Sequence, residues 1–207
     1  MIFRFNPGEQ ALRVLIGCEE SQIVCKAFRE KGHEAYSCDL LDCSGGYPEW
    51  HIKGCVLDAI SQEWDLIILH PPCTALAVSG NAWYGEGMTK NKQRIQSKKW
   101  TVHLWNQAKK NASRVAMENP VGVLTQILGK PHYVQPWQFG HPESKKTGLW
   151  LHNLPELKPT NNVYQQFKSL PKNQAQRLHY LPPSKDRAKI RSKTFTGIAK
   201  AMAAQWG

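Results

Sequence analysis

The sequence predicts an α/β fold built on a mostly parallel β-sheet. Short apolar runs of strand length alternate with segments of helical periodicity, which is the pattern of strands joined by crossover helices. Acidic or nucleophilic residues follow the ends of these runs, and parallel sheets bind ligands at the carboxyl ends of their strands. The 207 residues are enough for one domain with a sizeable core.

Four strands are predicted in the first third of the chain, because short apolar runs there end at glycine or at polar residues. These strands comprise residues 12–16, 34–38, 55–59 and 65–69. Ser21 is the expected N-cap of a helix that follows the first strand and stops at Gly32. The fourth strand has the clearest pattern, and the adjacent prolines of His70-Pro71-Pro72-Cys73 require a loop after it.

The rest of the domain continues the alternation of helices and strands. The Gly-, Asn- and Tyr-rich segment 80–90 is expected to form a mobile loop. A long helix follows over residues 91–112, and Ile95, Val102, Trp105 and Ala112 fall near one face of it. The remaining predicted elements are a strand over 114–117, a helix over 121–128, a strand over 148–151 and a helix over 197–205.

The domain organisation predicted from the sequence is one main domain with a small basic insertion. Residues 1–151 and 193–207 form the main domain, and residues 152–192 form the insertion. The stretch 155–191 contains five prolines and many Lys, Gln and Asn residues, which predicts irregular structure. The formal net charge of +11 attracts polyanions such as nucleic acids, although a basic protein without such a partner remains an alternative.

The sequence also bears on the cellular compartment of the protein and on whether it binds a metal. Residues 1–12 contain no apolar core of a secretory signal, and no run approaches the ~20 apolar residues that a membrane span needs. All six cysteines lie in the first 73 residues, several of them in predicted strands, which is typical of reduced cysteines in the cytoplasm. Because there is no Cys-x-x-Cys pair, we expect no metal site.

Cys73 and Glu118 form the most specific combination in the sequence, because they follow neighbouring predicted strands. A thiolate held on a rigid loop can add to C6 of a pyrimidine and turn C5 into a carbon nucleophile. An acid near N3 takes up the charge, and Glu118, with its pKa raised by a partly apolar pocket, is the expected acid. Asn119 is expected to hold the loop or the edge of the base. Taken singly, each of these residues is more often structural.

The order of the motifs resembles that of the DNA (cytosine-5) methyltransferases. Residues 15–19 (LIGCE) resemble the first, cofactor-binding motif, and residues 70–73 (HPPC) resemble the Pro-Cys loop that carries the nucleophile. Residues 117–120 (MENP) resemble the Glu-Asn-Val motif, and residues 197–202 (GIAKAM) resemble the closing motif. The resemblance is strongest to short members encoded by bacteriophages, which would place the protein in the cytoplasm of the host.

This resemblance implies a Rossmann-like, S-adenosylmethionine-dependent methyltransferase fold that acts on DNA, with duplex DNA preferred and single strands possible. Asp39 would meet the ribose of the cofactor and Asp58 its adenine. The implied cofactor-binding residues are Gly17, Glu19, Ser21, Asp39, Asp58 and Pro71. The implied catalytic residues are Cys73, Glu118 and Asn119. Substrate-binding residues are expected at Lys145, Lys146, Trp83 and Trp137, on predicted loops at the same edge; no membrane or metal partner is implied.

Three departures from the family pattern leave other functions open. The first motif keeps only Gly17 of its glycines, Lys145 and Lys146 lie where the family has a Gln-x-Arg-x-Arg element, and the large target-recognition domain is missing. A smaller or single-stranded cytosine substrate, such as a nucleotide or RNA, is therefore an alternative to duplex DNA. A non-catalytic nucleic-acid-binding relative is a further alternative, although the presence of both Cys73 and Glu118 disfavours it.

The salt dependence of binding affinity distinguishes a polymeric nucleic acid from a small substrate. If the partner is a polymeric nucleic acid, affinity falls steeply from low to moderate salt, because lysine and arginine contacts release counterions. Fluorescence anisotropy with labelled duplex DNA measures the slope, and a flat dependence would indicate a mononucleotide substrate. Neutralising Lys185, Arg187 and Lys189 together should weaken binding with little sequence bias, since phosphate contacts do not distinguish bases. The remaining expected contacts are Lys145, Lys146 and Arg191.

Overall fold

The computed structural model describes residues 10–207; residues 1–9, which include most of the segment without a signal-peptide core, lie outside the described residues. A seven-stranded sheet with the order β3-β2-β1-β4-β5-β7-β6 forms the centre of the described chain. Its strands are β1 (Arg13–Gly17), β2 (Glu34–Asp39), β3 (His51–Lys53), β4 (Trp64–Leu69), β5 (Ala112–Pro120), β6 (His132–Val134) and β7 (Thr147–His152).

The sheet is mostly parallel, which confirms the predicted α/β class. Strands β3, β2, β1, β4 and β5 are parallel to one another, whereas β7 is antiparallel to both β5 and β6. The order 3-2-1-4-5 of the parallel strands is that of a Rossmann-like sheet. The direction in which strands are added reverses between β1 and β4, and such a reversal opens a ligand crevice at the carboxyl ends of the two strands.

Helices cover both faces of this sheet. The longer ones are α1 (Ile23–Glu30), α4 (Asn91–Asn111) and α10 (Thr196–Trp206). Short helices are α2 (Val56–Ile60), α3 (Asn81–Tyr84), α5 (Thr125–Leu128), α6 (Tyr164–Ser169), α7 (Lys172–Ala175), α8 (Arg177–Tyr180) and α9 (Arg187–Ser192). Helices α1 and α10 contribute to the core on one face, and α2 and α4 contribute to the core on the other.

The alternation of side chains along the strands explains these two cores. Leu66 and Ile68 of β4 pack on the side of α1 and α10, whereas Ile67 and Leu69 pack on the side of α2 and α4. All four side chains are fully buried. A strand that is buried on both faces has a continuous apolar sequence rather than an alternating one, which is why the fourth strand was the clearest in the sequence.

The predicted third strand is wrong. Residues 56–60 form α2, and the third strand is His51–Lys53, which the sequence analysis missed. Val56, Ala59 and Ile60 recur with helical spacing and are buried together, so tertiary packing favours a helix over the strand that the short apolar run predicted. Asp58 therefore lies exposed on a helix and not at the end of a strand.

Other boundaries also differ from the predictions. Part of the expected loop 80–90 is helix α3, only the last four residues of the expected helix 121–128 are helical, and strand β6 was missed. On α4, Trp105 is buried as predicted, but Ile95 is 46% exposed and Ala112 is the first residue of β5; the other buried residues of the helix are Arg94, Thr101, Leu104 and Ala108. The insertion 152–192 contains four short helices, α6 to α9, so it is less irregular than predicted.

Strand β5 is longer than predicted and extends through Pro120. Glu118 and Asn119 therefore lie within the strand, where pairing with β7 holds them, and not in a turn after it. No helix of residues 10–207 has the length and apolar character needed to cross a bilayer. The same residues contain no cluster of three or more His, Cys, Asp or Glu side chains able to hold a metal ion.

The packing around Gly17 generates a prediction about stability. A Cβ at this position would lie 2.6 Å from Val56 Cγ2 and 2.8 Å from Leu69 Cδ2, inside the core. Gly17→Ala should therefore lower the free energy of unfolding by about 1–3 kcal/mol, as overpacking does. Denaturant unfolding of the free protein measures this loss. Gly54→Ala is the control, since a Cβ there meets nothing within 4 Å; equal stability of the two variants would contradict the packing role.

Candidate active site

Residues from three strands lie side by side at the carboxyl edge of the sheet. Leu69 of β4 pairs with Gly17 of β1 and with Met117 of β5. The residues that follow Gly17, Leu69 and Met117 in the chain are Cys18, His70 and Glu118, respectively. The register thus aligns these three residues at one level, beside the point between β1 and β4 where the strand order reverses.

The loop that carries Cys73 is held by backbone hydrogen bonds at each end. The His70 N–H donates to the Gly17 carbonyl at 2.9 Å. Asn119 Nδ2 donates to the Pro71 carbonyl at 2.9 Å. The N–H groups of Leu76 and Ala77 both donate to the Cys73 carbonyl at 2.9 Å. Asn119 is therefore placed to position the loop, as the sequence analysis expected.

A buried arginine that the sequence analysis missed supports the segment after Cys73. Arg94 of α4 is 7% exposed, and its Nε donates to the Ala75 carbonyl at 2.6 Å. Its Nη2 donates to the Ala77 carbonyl, and its Nη1 donates to the side chain of Asn81 at 2.9 Å. Arg94 is one of many basic residues on α4, so no signal in the sequence distinguished it from the solvated ones.

Glu118 is paired with His70. His70 Nδ1 lies 3.0 Å from Glu118 Oε2, and the two side chains are only 8% and 10% exposed. Burial raises the pKa of Glu118, but the hydrogen bond with His70, the charge of Lys145 and a contact with the Thr147 side chain together lower it below its ordinary value. The prediction of a raised pKa was wrong, because it took account of the apolar surroundings but not of these partners, which favour the carboxylate.

Cys73 is half-buried and is a thiol in the resting protein. Burial raises the pKa of this thiol, and the nearby Glu118 carboxylate raises it further. The positive charges of Lys145 and Arg191 act in the opposite direction. The charge of Glu118 therefore influences how readily Cys73 loses its proton.

Only one of the two predicted lysines joins this site. Lys145 is half-buried, its charge acts on both Cys73 and Glu118, and its Nζ donates to the Lys193 carbonyl at 3.1 Å. Lys146 is exposed, and its Nζ lies 4.3 Å from the centre of the Tyr133 ring. Successive residues of a strand or extended segment point to opposite sides, which explains the difference.

The two predicted aromatic residues also occupy different environments. Trp83 is 63% exposed on α3, with Lys90 Nζ 5.8 Å from the centre of its ring. It is free to meet a ligand. Trp137 is half-buried and packs against Tyr164 of the insertion, with ring centres 4.8 Å apart. Phe139, the neighbouring aromatic, is part of the core on the side of α1 and α10.

Glu19 and Ser21 are both engaged at the start of α1. Glu19 is buried; its Oε1 accepts a hydrogen bond from the Val24 N–H at 2.7 Å, and its Oε2 accepts one from the Cys25 N–H at 3.2 Å. The Ser21 hydroxyl donates to Glu19 Oε1 at 3.3 Å. The predicted N-cap at Ser21 is wrong: the cap position is Gln22, in a left-handed conformation with φ 57°. The carboxylate of Glu19 thus does the capping, which satisfies N–H groups that a cofactor carboxylate could otherwise use.

Asp39 and Asp58 are the two residues predicted to contact the ribose and the adenine of S-adenosylmethionine. Asp39 Oδ1 accepts a hydrogen bond from the Leu41 N–H at 3.0 Å, which leaves Oδ2 for a ribose hydroxyl. Asp58 is exposed on the first turn of α2. Burial raises the pKa of Cys38 in β2, and the charges of both carboxylates raise it further. Both carboxylates therefore lie near the same end of β2. Pro71 is buried within the loop that carries Cys73, and Gly17 is buried in the core.

The basic insertion reaches this edge through α9. Lys189 Nζ lies 3.5 Å from the Glu20 carboxylate, which follows β1, and the charge of Arg191 acts on Cys73. The structure thus brings the insertion, the nucleophile loop and the segment after β1 together. No protein-family model matches the chain, and comparison with curated proteins gave no significant match. The functional interpretation therefore depends on the residues and their geometry.

Cys73 reactivity provides a test of the electrostatic coupling. Glu118→Gln removes a negative charge that raises the pKa of Cys73, so the thiolate fraction near neutral pH increases. We expect iodoacetamide to alkylate Cys73 about 2- to 10-fold faster in this variant, as peptide mass spectrometry measures. Glu156→Gln is the control, because Glu156 pairs with His132 on another part of the sheet. An unchanged rate in Glu118→Gln would show that the two groups are not coupled.

Proposed function

We propose that this protein transfers a methyl group from S-adenosylmethionine to C5 of cytosine in DNA. The observation that carries the proposal is the position of Cys73 on a loop that starts where β4 ends and is held by Gly17 and Asn119, next to the buried Glu118 of β5 and beside the reversal of strand order. Covalent activation of a pyrimidine needs a thiol on a fixed loop, a buried carboxyl group and an adjacent place for the ligand to bind.

The cofactor would lie at the carboxyl ends of β1 and β2, with its ribose at Asp39 and its adenine near Asp58. When bound, S-adenosylmethionine supplies an electrophilic methyl group. Because Glu19 and Ser21 cap α1, their expected role is indirect: they fix the loop between β1 and α1, along which the cofactor would bind. Gly17 likewise allows β1 to approach Val56 and Leu69 closely.

Cys73 would start the reaction by adding to C6 of the base. The sulfur–C6 bond forms with the sulfur electron pair, and the electrons of the C5–C6 double bond move towards C5 and N3. Glu118 donates a proton to N3, which holds the charge that develops in the ring. After methyl transfer, a water molecule accepts the C5 proton, and the electrons of the C5–H bond re-form the C5–C6 double bond as the sulfur–C6 bond breaks. The sulfur leaves with its electron pair, N3 returns its proton to Glu118, and both groups go back to their starting states.

The coupling of the two groups favours this sequence of events. A protonated Glu118 no longer raises the pKa of Cys73, so that only burial raises it while the charges of Lys145 and Arg191 lower it. The productive state, with a thiolate and a carboxylic acid, contains the same number of protons as the resting state with a thiol and a carboxylate. One proton shift therefore prepares both groups, without a net change in the charge of the site.

DNA is supported by the formal net charge of +11 and by the position of α9 at the edge of the site. Trp83 offers an exposed ring on which an extruded base could stack. Duplex DNA is our first choice. A single-stranded or mononucleotide substrate is the second, because the insertion consists of short helices of four to six residues instead of a large recognition domain. Six free cysteines favour a reducing compartment such as the cytoplasm, that of the host for a bacteriophage protein.

Methyl transfer tests the proposal directly. The protein is incubated with methyl-labelled S-adenosylmethionine and, in separate reactions, duplex DNA, single-stranded DNA, RNA or dCMP. Label in 5-methylcytosine from one of these substrates is the expected result. With 5-fluorocytosine in that substrate, the fluorine cannot leave as a proton does, and we expect a denaturant-stable, cofactor-dependent adduct on Cys73.

Three variants accompany this assay. Cys73→Ala should abolish both turnover and the adduct, and Glu118→Gln should lower turnover roughly 10²–10⁴-fold because it removes the proton donor. Cys55→Ala is the matched control, since Cys55 is an exposed free thiol at the start of α2. Full activity of Cys73→Ala, or an adduct on another cysteine, would exclude the cytosine-5 mechanism and would favour methylation of an amino group or an oxygen.

A further inference from the structure

We propose that His70 is a positioning residue that supplies and recovers the proton which Glu118 exchanges with N3. This inference rests on the proposed function, because it concerns the acid of that reaction. It starts from one contact, in which His70 Nδ1 lies 3.0 Å from Glu118 Oε2 at the side chain that would touch the base.

The sheet itself creates this contact. Leu69 pairs with Met117, so the residues after them, His70 and Glu118, lie opposite each other in the parallel register. Their side chains continue the alternation of Ile68 and Ala116, which belong to the same core beside α1 and α10. The imidazole and the carboxylate are thus placed on one face by two rigid strands, and a loop movement is not needed to bring them together.

The surroundings of His70 are those of a proton carrier. Its side chain is only 8% exposed, and its Nε2 has no hydrogen-bond partner within the described residues. Glu118 faces it from β5, and Glu19 faces it from the segment after β1, since a positive charge on the doubly protonated ring of His70 lowers the otherwise raised pKa of Glu19. Lys145 and Cys73 complete the charged and titratable groups around the pair, because both interact with Glu118.

The proton balance is simple. In the resting state, a neutral imidazole donates its Nδ1–H to the Glu118 carboxylate, and Nε2 holds a free electron pair. When the proton that leaves the Cys73 thiol reaches Nε2 through water, the Nδ1–H bond breaks and the proton from Nδ1 forms an O–H bond on Glu118 Oε2. The imidazole is then neutral again with its proton on Nε2, and Glu118 is the acid that donates to N3. The reverse transfers restore the resting state after the sulfur–C6 bond breaks.

A purely structural role for His70 predicts a different behaviour. A side chain that only orients Glu118 needs one N–H donor, and an amide would replace it at every pH. A proton carrier must also change its protonation state, which histidine does near neutral pH and asparagine does not. His70→Asn separates the two roles, because its amide retains a donor close to the position of Nδ1.

The test compares steady-state methylation of the preferred substrate by the wild type and by His70→Asn between pH 5.5 and 9. We expect a similar KM, a kcat lowered roughly 10- to 100-fold, and a changed pH profile on its acidic side. His132→Asn is the matched control, because His132 Nδ1 also pairs with a glutamate, Glu156, at 3.4 Å but on strand β6. This control should keep the wild-type profile.

A second readout does not depend on activity. Carbon-13 NMR of labelled glutamate follows the Glu118 carboxyl group in the free protein, and melting temperatures show whether each variant is folded. In His70→Ala, which removes the donor, we expect the pKa of Glu118 to rise, since the hydrogen bond from His70 lowers it in the wild type, whereas in His70→Asn, which retains a donor, it should stay low. An unchanged titration of Glu118 in folded His70→Ala would overturn the pairing.

The outcomes separate this inference from the proposed function. If the wild type methylates no cytosine substrate, the proposed function fails, and the inference about N3 fails with it, whatever the NMR titration gives. If the wild type is active and His70→Asn keeps the wild-type kcat and pH profile, the proposed function stands and the proton transfer by His70 is overturned. A higher KM with unchanged kcat has the same meaning, because it indicates a role in substrate binding alone.

Discussion

The register of β4 against β1 and β5 is the constraint on which the site depends. Leu66, Ile67, Ile68 and Leu69 are fully buried, with successive side chains in opposite cores. A slip of one residue would exchange the two sets and turn His70 away from Glu118, so the burial of both faces fixes the register strongly. The placement of the nucleophile loop follows, because it starts where β4 ends and is held by Gly17 and Asn119.

Electrostatic pairing then defines the chemistry of this edge. A buried carboxylate without a partner is costly, and each of the two here has specific partners. Glu19 accepts hydrogen bonds from the N–H groups of Val24 and Cys25 and from the Ser21 hydroxyl, which makes it part of the scaffold of α1. Glu118 instead pairs with a histidine that can change its charge, close to a thiol whose pKa responds to Glu118. A glutamate thus caps a helix after β1, whereas the glutamate in β5 is the proposed acid of the reaction.

Segments far apart in sequence complete the site. Lys145 precedes β7, Arg191 lies on α9, and Arg94 lies on α4, yet the first two act on Cys73 and the third holds the backbone that follows it. Glu20 and Lys189 join the segment after β1 to the insertion. The insertion therefore belongs to the same edge as the nucleophile loop. This arrangement links the basic character of residues 152–192 to the place where the proposed DNA substrate would be modified.

The sequence by itself determined the α/β class, most of the strands and the presence of Cys73 and Glu118 at one edge, because apolar runs in a parallel sheet bring their carboxyl ends together. Tertiary structure decided what depends on partners from distant segments. The helix at Asp58 formed because Val56, Ala59 and Ile60 bury together. The choice of Lys145 over Lys146 and the capping role of Glu19 depend on side-chain direction, and the lowered pKa of Glu118 depends on His70 and Lys145. A sequence gives the order of such residues, whereas only the folded chain gives the distances between their charges, on which a pKa depends.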